Sequence, residues 1–232
     1  MITFPEYTKV GRIIAKENFY GNIDTATKNL FQSEISRIIW EYKLAPNTIN
    51  LPAKKWPEIE VFRIILKNGE IPEKVLKAID SAIPYPILFL IEKGSIEKAA
   101  ICYKEQSQKD ENTAKVDTYF YTEWNDEKLQ NIKIDGLNID TVFSNFVRQI
   151  AGDKLTSAKK TNEETPKSIK EDVEALKERE KIMKQIAVLD RKIKAEPSLG
   201  KKQELAEERY RLKQQLWYYE PDSYFQRSIR KA

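Results

Sequence analysis

Glu58-Ile59-Glu60-Val61-Phe62-Arg63-Ile64-Ile65-Leu66-Lys67 is rich in Ile, Val and Phe and is bounded by Pro57 and Asn68-Gly69, so it reads as a strand. Pro72 fits the first position of a helix, with Val75, Leu76, Ile79 and Ile83 on one face. Pro84-Tyr85-Pro86 stops that helix. Ile87-Leu88-Phe89-Leu90-Ile91 then runs apolar without a break, as a strand covered on both faces does. Strand, helix and strand in so short a stretch make a βαβ unit, right-handed because twisted strands pack back only that way.

Working outward, residues 25–43 carry Leu30, Ile35, Ile38, Ile39 and Tyr42 near helical period, so they read as one helix capped by Asp24 or Thr25 and ended before Pro46. Downstream, Lys93-Gly94 turns the chain and Ala99 to Tyr103 returns as a hairpin partner. Val116 to Trp124 alternates as a further strand. Ile139, Val142, Phe143, Phe146, Val147 and Ile150 mark an amphipathic helix with Gly152 at its C-cap. Residues 1–153 are therefore expected to form a mixed α/β domain, a mixed sheet with a βαβ unit and flanking helices.

Charge changes at that point. Residues 154–232 hold 20 Lys/Arg and 14 Asp/Glu, leaving 20 and 22 for residues 1–153. Ser157 to Glu164 has almost nothing to bury, so residues 154–165 read as a linker. Thr165-Pro166 suits a helix start. Ile169, Val173, Leu176, Arg179, Ile182, Ile186, Leu189 and Ile193 follow at coiled-coil spacing. Pro197 breaks the helix, and Leu205, Arg209, Leu212, Leu216 and Tyr219 form a second seam. Residues 166–219 are expected to fold back as an antiparallel helical coiled-coil hairpin, Ile186 facing Arg209 and Ile182 facing Leu212, with an aromatic, basic tail at 220–232.

Composition excludes several chemistries. The 232 residues are 41% apolar and 33% charged, with net charge +4, too small a balance to argue for nucleic acid. There is no histidine, which removes Ser-His-Asp and Cys-His catalysis and His-ligated metal sites. One cysteine, Cys102, allows no intrachain disulfide. The seven glycines are too scattered for G-x-G-x-x-G or a Walker loop. No signal peptide or membrane span is read, so a cytoplasmic protein is expected, with no cofactor and no membrane partner.

A metal-dependent nuclease of the Asp…(Asp/Glu)-x-Lys type needs a carboxylate and a lysine two apart on one strand, so that both face one metal. Glu41-Tyr42-Lys43, Asp126-Glu127-Lys128 and Asp190-Arg191-Lys192 have the spacing. They fall in an expected helix, a turn and the coiled coil, so no catalytic or metal residue is assigned. Cys102, between Ile101 and Tyr103, reads as a buried structural thiol. The binding candidates are Trp217, Tyr218, Tyr219, Tyr224 and Phe225 with Arg227, Arg230 and Lys231. Such a set stacks bases and holds phosphates, anchors a protein interface, or folds back onto the α/β body.

The succession Phe19-Tyr20, Ile38-Ile39-Trp40-Glu41-Tyr42-Lys43-Leu44-Ala45-Pro46, Glu60-Val61-Phe62, Ile83-Pro84-Tyr85-Pro86-Ile87-Leu88-Phe89 and Tyr119-Phe120-Tyr121-Thr122-Glu123-Trp124 resembles a bacterial and archaeal family catalogued as domain of unknown function 4391. The resemblance carries no catalytic residues. It implies genes neighbouring helicases and DNA methyltransferases of restriction-like or phage-defence loci. The expectation is a non-enzymatic accessory or scaffold subunit of a DNA-acting complex, docking a larger protein, a helicase or DNA methyltransferase, through hairpin and tail. The alternative is a nucleic-acid-binding or degenerate nuclease-like subunit.

Overall fold

The computed structural model describes residues 3–107, 113–125, 129, 131–156 and 168–219. The chain divides into two compact units, residues 1–151 and 152–232.

The first unit is built on six strands: β1 (Lys9–Ile14), β2 (Ile35–Leu44), β3 (Ile59–Leu66), β4 (Ile87–Lys93), β5 (Ile96–Gln106) and β6 (Ala114–Tyr121). They lie in one sheet in sequence order. Every neighbouring pair is antiparallel except β3 and β4, which the helix α3 (Glu73–Ala82) connects as the expected βαβ unit. Pro72 is the N-cap of α3 rather than its first helical residue. The other helices of this unit are α1 (Thr25–Glu34), α2 (Pro46–Ile49) and α4 (Ile139–Ala151).

Ile87 to Ile91 of β4 are all buried because both sheet faces are covered. On one face, Phe31 of α1 and Val75, Leu76 and Ile79 of α3 join Ile38, Phe62, Ile64, Phe89 and Ile91 in one cluster. On the other, Phe143 of α4 stacks on Tyr103, its centroid 6.5 Å away, and Phe146 meets Phe4 edge-on. Apolar burial at about 25 cal/mol per Å² is the main stabilising term of such a core.

The reading of residues 25–43 as one helix is wrong. Helix α1 ends at Glu34, and Ile35 opens β2 without an intervening turn, at φ −94° and ψ 125°. Ile35, Ile38 and Ile39 are β-branched, and with Trp40 and Tyr42 they favour a pleated surface. Pairing with β3 on one side and β1 on the other outweighs the helical spacing. Asp24 does cap α1, its Oδ1 accepting from Thr27 N at 2.7 Å. The edge strand β1 escapes a periodicity reading because Lys9 to Ile13 are all exposed. Gly11, at φ +66°, lies where its register shifts against β2.

In the second unit, residues 153–156, expected to belong mostly to the linker, form the short helix α5 (Asp153–Thr156) with Leu155 buried. Residues 157–167, Pro166 among them, lie outside the described residues. The hairpin is α6 (Ile169–Ala195) and α7 (Leu199–Tyr219), with Pro197 in the bend. The N-cap of α6 is Ser168. Ser168 Oγ accepts from Glu171 N at 3.3 Å, and Glu171 Oε2 accepts from Ser168 N at 2.8 Å, a reciprocal capping box. Val173, Leu176, Ile182 and Leu189 are buried. Arg209 pairs with Asp190 at 2.8 Å, one turn along α6 from the expected Ile186.

Candidate functional site

Glu41-Tyr42-Lys43 lies on a strand after all, within β2, but its two charges do not converge. The β2–β3 register shifts between Trp40 and Tyr42, where Trp40 pairs with Phe62 and Tyr42 with Val61. That extra residue is a β-bulge, which breaks the alternation of side chains. Glu41 therefore turns to the α4 face, where its Oε2 accepts from Arg63 Nε at 2.7 Å. Arg63 is almost fully buried and also faces Glu92 at 3.4 Å and Glu97 at 3.5 Å. Lys43 turns to the α1/α3 face and pairs with Glu58 at 2.5 Å. Glu60 and Arg63 sit three apart on a strand whose pairing with β4 is regular, so they too point to opposite faces.

The α1/α3 face holds the more unusual group. Glu60 is 5% exposed and lines a pocket of about 320 Å³ with Ile14, Phe19, Trp40, Phe62, Ile83 and Tyr85. Burial, then the adjacent Glu58 carboxyl, push it from an ordinary 4.5 to about 8; Lys43 and the nearby Trp40 indole N–H pull the other way. Glu60 Oε2 and Trp40 Nε1 are both buried, and the indole N–H and the Glu58 carboxyl are the groups that act on the Glu60 carboxyl at close range. A second cleft of about 390 Å³ adjoins it, sharing Asn18, Phe19 and Ala82 and adding Lys74, Lys77 and Ser81.

Behind that wall is a fully satisfied buried cation. Lys104 Nζ donates at 2.8 Å to the carbonyls of Asp80, Ile83 and Tyr85. The Asp80 carboxylate lies at 2.8 Å as counter-charge, with both side chains at zero exposure. An ammonium has three N–H donors, and the carbonyls at the end of α3 take all three. Asp80 Oδ1 faces the same ammonium at 2.8 Å as its counter-charge. Tyr119 OH donates to Asp80 Oδ2. Burial raises the Asp80 pKa, against the pull of Lys104 and Tyr119. The arrangement pins the α3–β4 connection, which is one wall of the Glu60 pocket, and it is structural.

Cys102 is buried, and burial with the Asp80 charge pushes its thiol up, so it is inert as a nucleophile. Asp190-Arg191-Lys192 lies on helix α6, where Asp190 is held by Arg209. Asp126-Glu127-Lys128 lies outside the described residues. Among the described residues no group of three or more His, Cys, Asp or Glu is arranged to hold a metal ion.

The tail candidates are only partly described. Tyr219 ends α7, half-buried. Trp217 and Tyr218 belong to the last turn of α7, with side chains outside the described part. Tyr224, Phe225, Arg227, Arg230 and Lys231 lie outside the described residues. Most of that set is therefore not among the described residues. The residues the structure does bring together, Trp40, Lys43, Glu58 and Glu60 on one face and Asp80 with Lys104 behind them, were given no site role from the sequence. The usable signal was polarity out of place: Glu60 and Arg63 inside an apolar strand, and Lys104 closing Ala-Ala-Ile-Cys-Tyr.

Among the described residues no helix is long and apolar enough to cross a membrane. No curated protein and no solved structure matches the chain. A family model does, over residues 2–216, and the chain belongs to that family, described as Domain of unknown function (DUF4391).

Proposed function

We propose that this member of the DUF4391 family is a non-enzymatic accessory subunit that docks a larger protein through its helical hairpin and C-terminal tail. In the reading its family resemblance suggests, the partner is a helicase or DNA methyltransferase of a restriction-like or phage-defence assembly. The supporting observation is the incomplete seam of the hairpin. Among its described side chains helix α7 has none fully buried: Leu205, Leu212 and Leu216 are half-covered, and Leu199 and Tyr210 are 82% and 57% exposed. Met183 and Val188 stand exposed on α6. Within the hairpin, Arg209 of α7 already pairs with Asp190 of α6. A partner's amphipathic helix laid along the open row would cover what they leave bare.

Co-purification of the untagged full chain with the proteins encoded beside it tests this. Tyr210→Glu with Met183→Lys, both at exposed positions, should abolish the complex while leaving the melting temperature unchanged. A complex that survives both changes and removal of residues 221–232 would refute docking through hairpin and tail. A chain that only self-associates in sedimentation would refute the larger partner.

A second reading, direct contact with nucleic acid, is favoured by one feature. Lys192, Lys194, Lys201 and Lys202 are exposed on either side of the bend, where phosphates can approach. Binding of that kind weakens steeply with salt because it releases counterions, whereas protein docking need not.

A further inference from the structure

The sheet has two edges, and β1 is the barer of them. Among the described residues it pairs with β2 on one side and with no strand on the other, so every second N–H and C=O along it lacks a ladder partner. Lys9 to Ile13 are all exposed. A methyl group placed on Gly11 would meet no atom within 4 Å, so the space beside this edge is open. Val10 and Ile13 are 37% and 62% exposed. Beyond the register shift at Gly11, residues Arg12, Ile13 and Ile14 pair in step with Trp40, Ile39 and Ile38. The opposite edge, β6, is half-buried along most of its length, and its Tyr119 and Tyr121 hydroxyls are tied to Asp80 and Glu73 of α3.

Charge selects what fits there. Between Lys9 and Ala15 the chain carries Lys9 and Arg12 and no carboxylate, and Lys16 follows. Lys9 is paired with Glu6, and Lys16 Nζ donates to the Ile35 carbonyl, whereas Arg12 has no carboxylate partner among the described residues. A second copy of this chain is disfavoured, because two β1 strands side by side set these cations against one another. Successive strand residues point to opposite faces: Ile13 stands beside the half-exposed Ile39, and Arg12 beside Trp40 on the other face. We propose that β1 is a docking edge for an extended segment of a partner protein in which apolar and acidic residues alternate. The segment adds to the sheet beside β1, its apolar side chains continuing the Ile39–Ile13 row and its carboxylates meeting Arg12. Main-chain hydrogen bonds supply the affinity and the alternation supplies the selectivity. The surface belongs to the α/β unit and is independent of the hairpin's role. Basic side chains and a bulge are the usual devices that keep an edge from pairing; here they act against like-charged strands and leave Val10 and Ile13 uncovered.

The probes are three octapeptides, in which Val alternates with Glu, with Ser or with Lys, titrated into the full chain. Amide resonances and hydrogen exchange of β1 are the readouts. In the free chain the β1 amides facing β2 should exchange slowly and those facing outward fast. The Val/Glu peptide should bind with Kd of about 1 mM or tighter, slow the outward amides and leave β6 unchanged. The Val/Ser peptide should bind more weakly and the Val/Lys peptide not at all. Arg12→Glu should weaken the Val/Glu peptide about fivefold, the worth of an exposed ion pair, and bring in the Val/Lys peptide. Ile13→Ser should weaken the Val/Glu peptide about tenfold, as the loss of a covered Ile side chain does. Both positions are exposed, so neither change should alter the melting temperature. Outward amides that are already protected in the free chain overturn the proposal. So does equal binding of the three peptides, protection of β1 by none of them, or Val/Glu binding that neither substitution alters.

Discussion

Replacing Lys104 by Met should be the most damaging single change in the α/β unit. The side chain is fully buried, and its Nζ serves three main-chain carbonyls and one carboxylate, all at 2.8 Å. Met preserves the stem and removes the charge. Asp80 is then left buried without a counter-charge, held only by Tyr119, and the carbonyls of Asp80, Ile83 and Tyr85 lose their donor. Removing one partner of a buried ion pair costs about 3–5 kcal/mol. The carbonyl penalties do not add fully, because all four contacts share one atom. About 4 kcal/mol is the working figure, a large part of a domain's usual 5–15. With a urea m-value of about 2 kcal/mol/M, the unfolding midpoint of the sheet should fall by about 2 M. The assay is urea unfolding of the full chain followed by hydrogen exchange of β5 and β6 amides, which isolates the sheet from the hairpin. Lys104→Arg should also destabilise, since a planar guanidinium cannot aim three donors at converging carbonyls. Lys104→Met with Asp80→Asn should recover part of the loss. A fall below about 0.5 M for Lys104→Met, roughly 1 kcal/mol, would mean the ammonium is not clamping these groups.

Three further outcomes follow from the same geometry. Glu60 is raised from 4.5 to about 8 in the folded chain, so the folded state holds the proton that the unfolded state has lost between those values. Stability should therefore fall as pH rises from about 4.5 to 8, by at most about 5 kcal/mol; Glu60→Gln should flatten the profile, and parallel profiles for the two proteins would refute the assignment. Arg63→Met should cost more than Glu41→Ala, because it leaves Glu41, Glu92 and Glu97 facing one another without their cation; denaturant midpoints in the reverse order would contradict the cluster. Spin labels on Gln185 and Lys213, which the Asp190–Arg209 pair places nearly level, should lie within about 20 Å across two packed helices, unchanged on dilution with unlabelled protein; a long or dilution-sensitive distance would remove the hairpin.

The parts of the fold that were legible are those where composition and punctuation agree. Strand β4 is an unbroken apolar run between a proline stop and Lys93-Gly94, and a strand buried on both faces can look like little else. Helix α4 repeats its apolar residues at helical spacing up to Gly152, which has φ +53°. The bend of the hairpin falls at Pro197. The failures have equally physical causes. Leu30, Ile35, Ile38, Ile39 and Tyr42 fall at intervals that fit a helix, yet the residues from Ile35 onward are mostly β-formers. Which preference prevails there is decided by β1 and β3, both distant in sequence. Strand β1 is an exposed edge and has no buried face to announce it.

The bulge in β2 explains why the site could not be read from spacing at all. A carboxylate-x-lysine pattern predicts a shared face only while a strand alternates. One extra residue between Trp40 and Tyr42 sends Glu41 to Arg63 and leaves Lys43 on the far side. Once there, Lys43 meets carboxylates from the next strand. Lys43 stands opposite Glu60 in the ladder, and Glu58, two residues before Glu60, reaches the same face and pairs with the ammonium. The sequence separates Lys43 from these acids by α2 and a loop, so no local motif contains all three. Their proximity is a property of register, and register is fixed by the apolar residues around them: Ile38 and Phe62 on the α1/α3 face, Tyr42 and Val61 on the other. The polar pocket is thus positioned by the core that surrounds it. A change that slips β2 by one residue would move Lys43 and Trp40 to the opposite face and dismantle the site without touching Glu60.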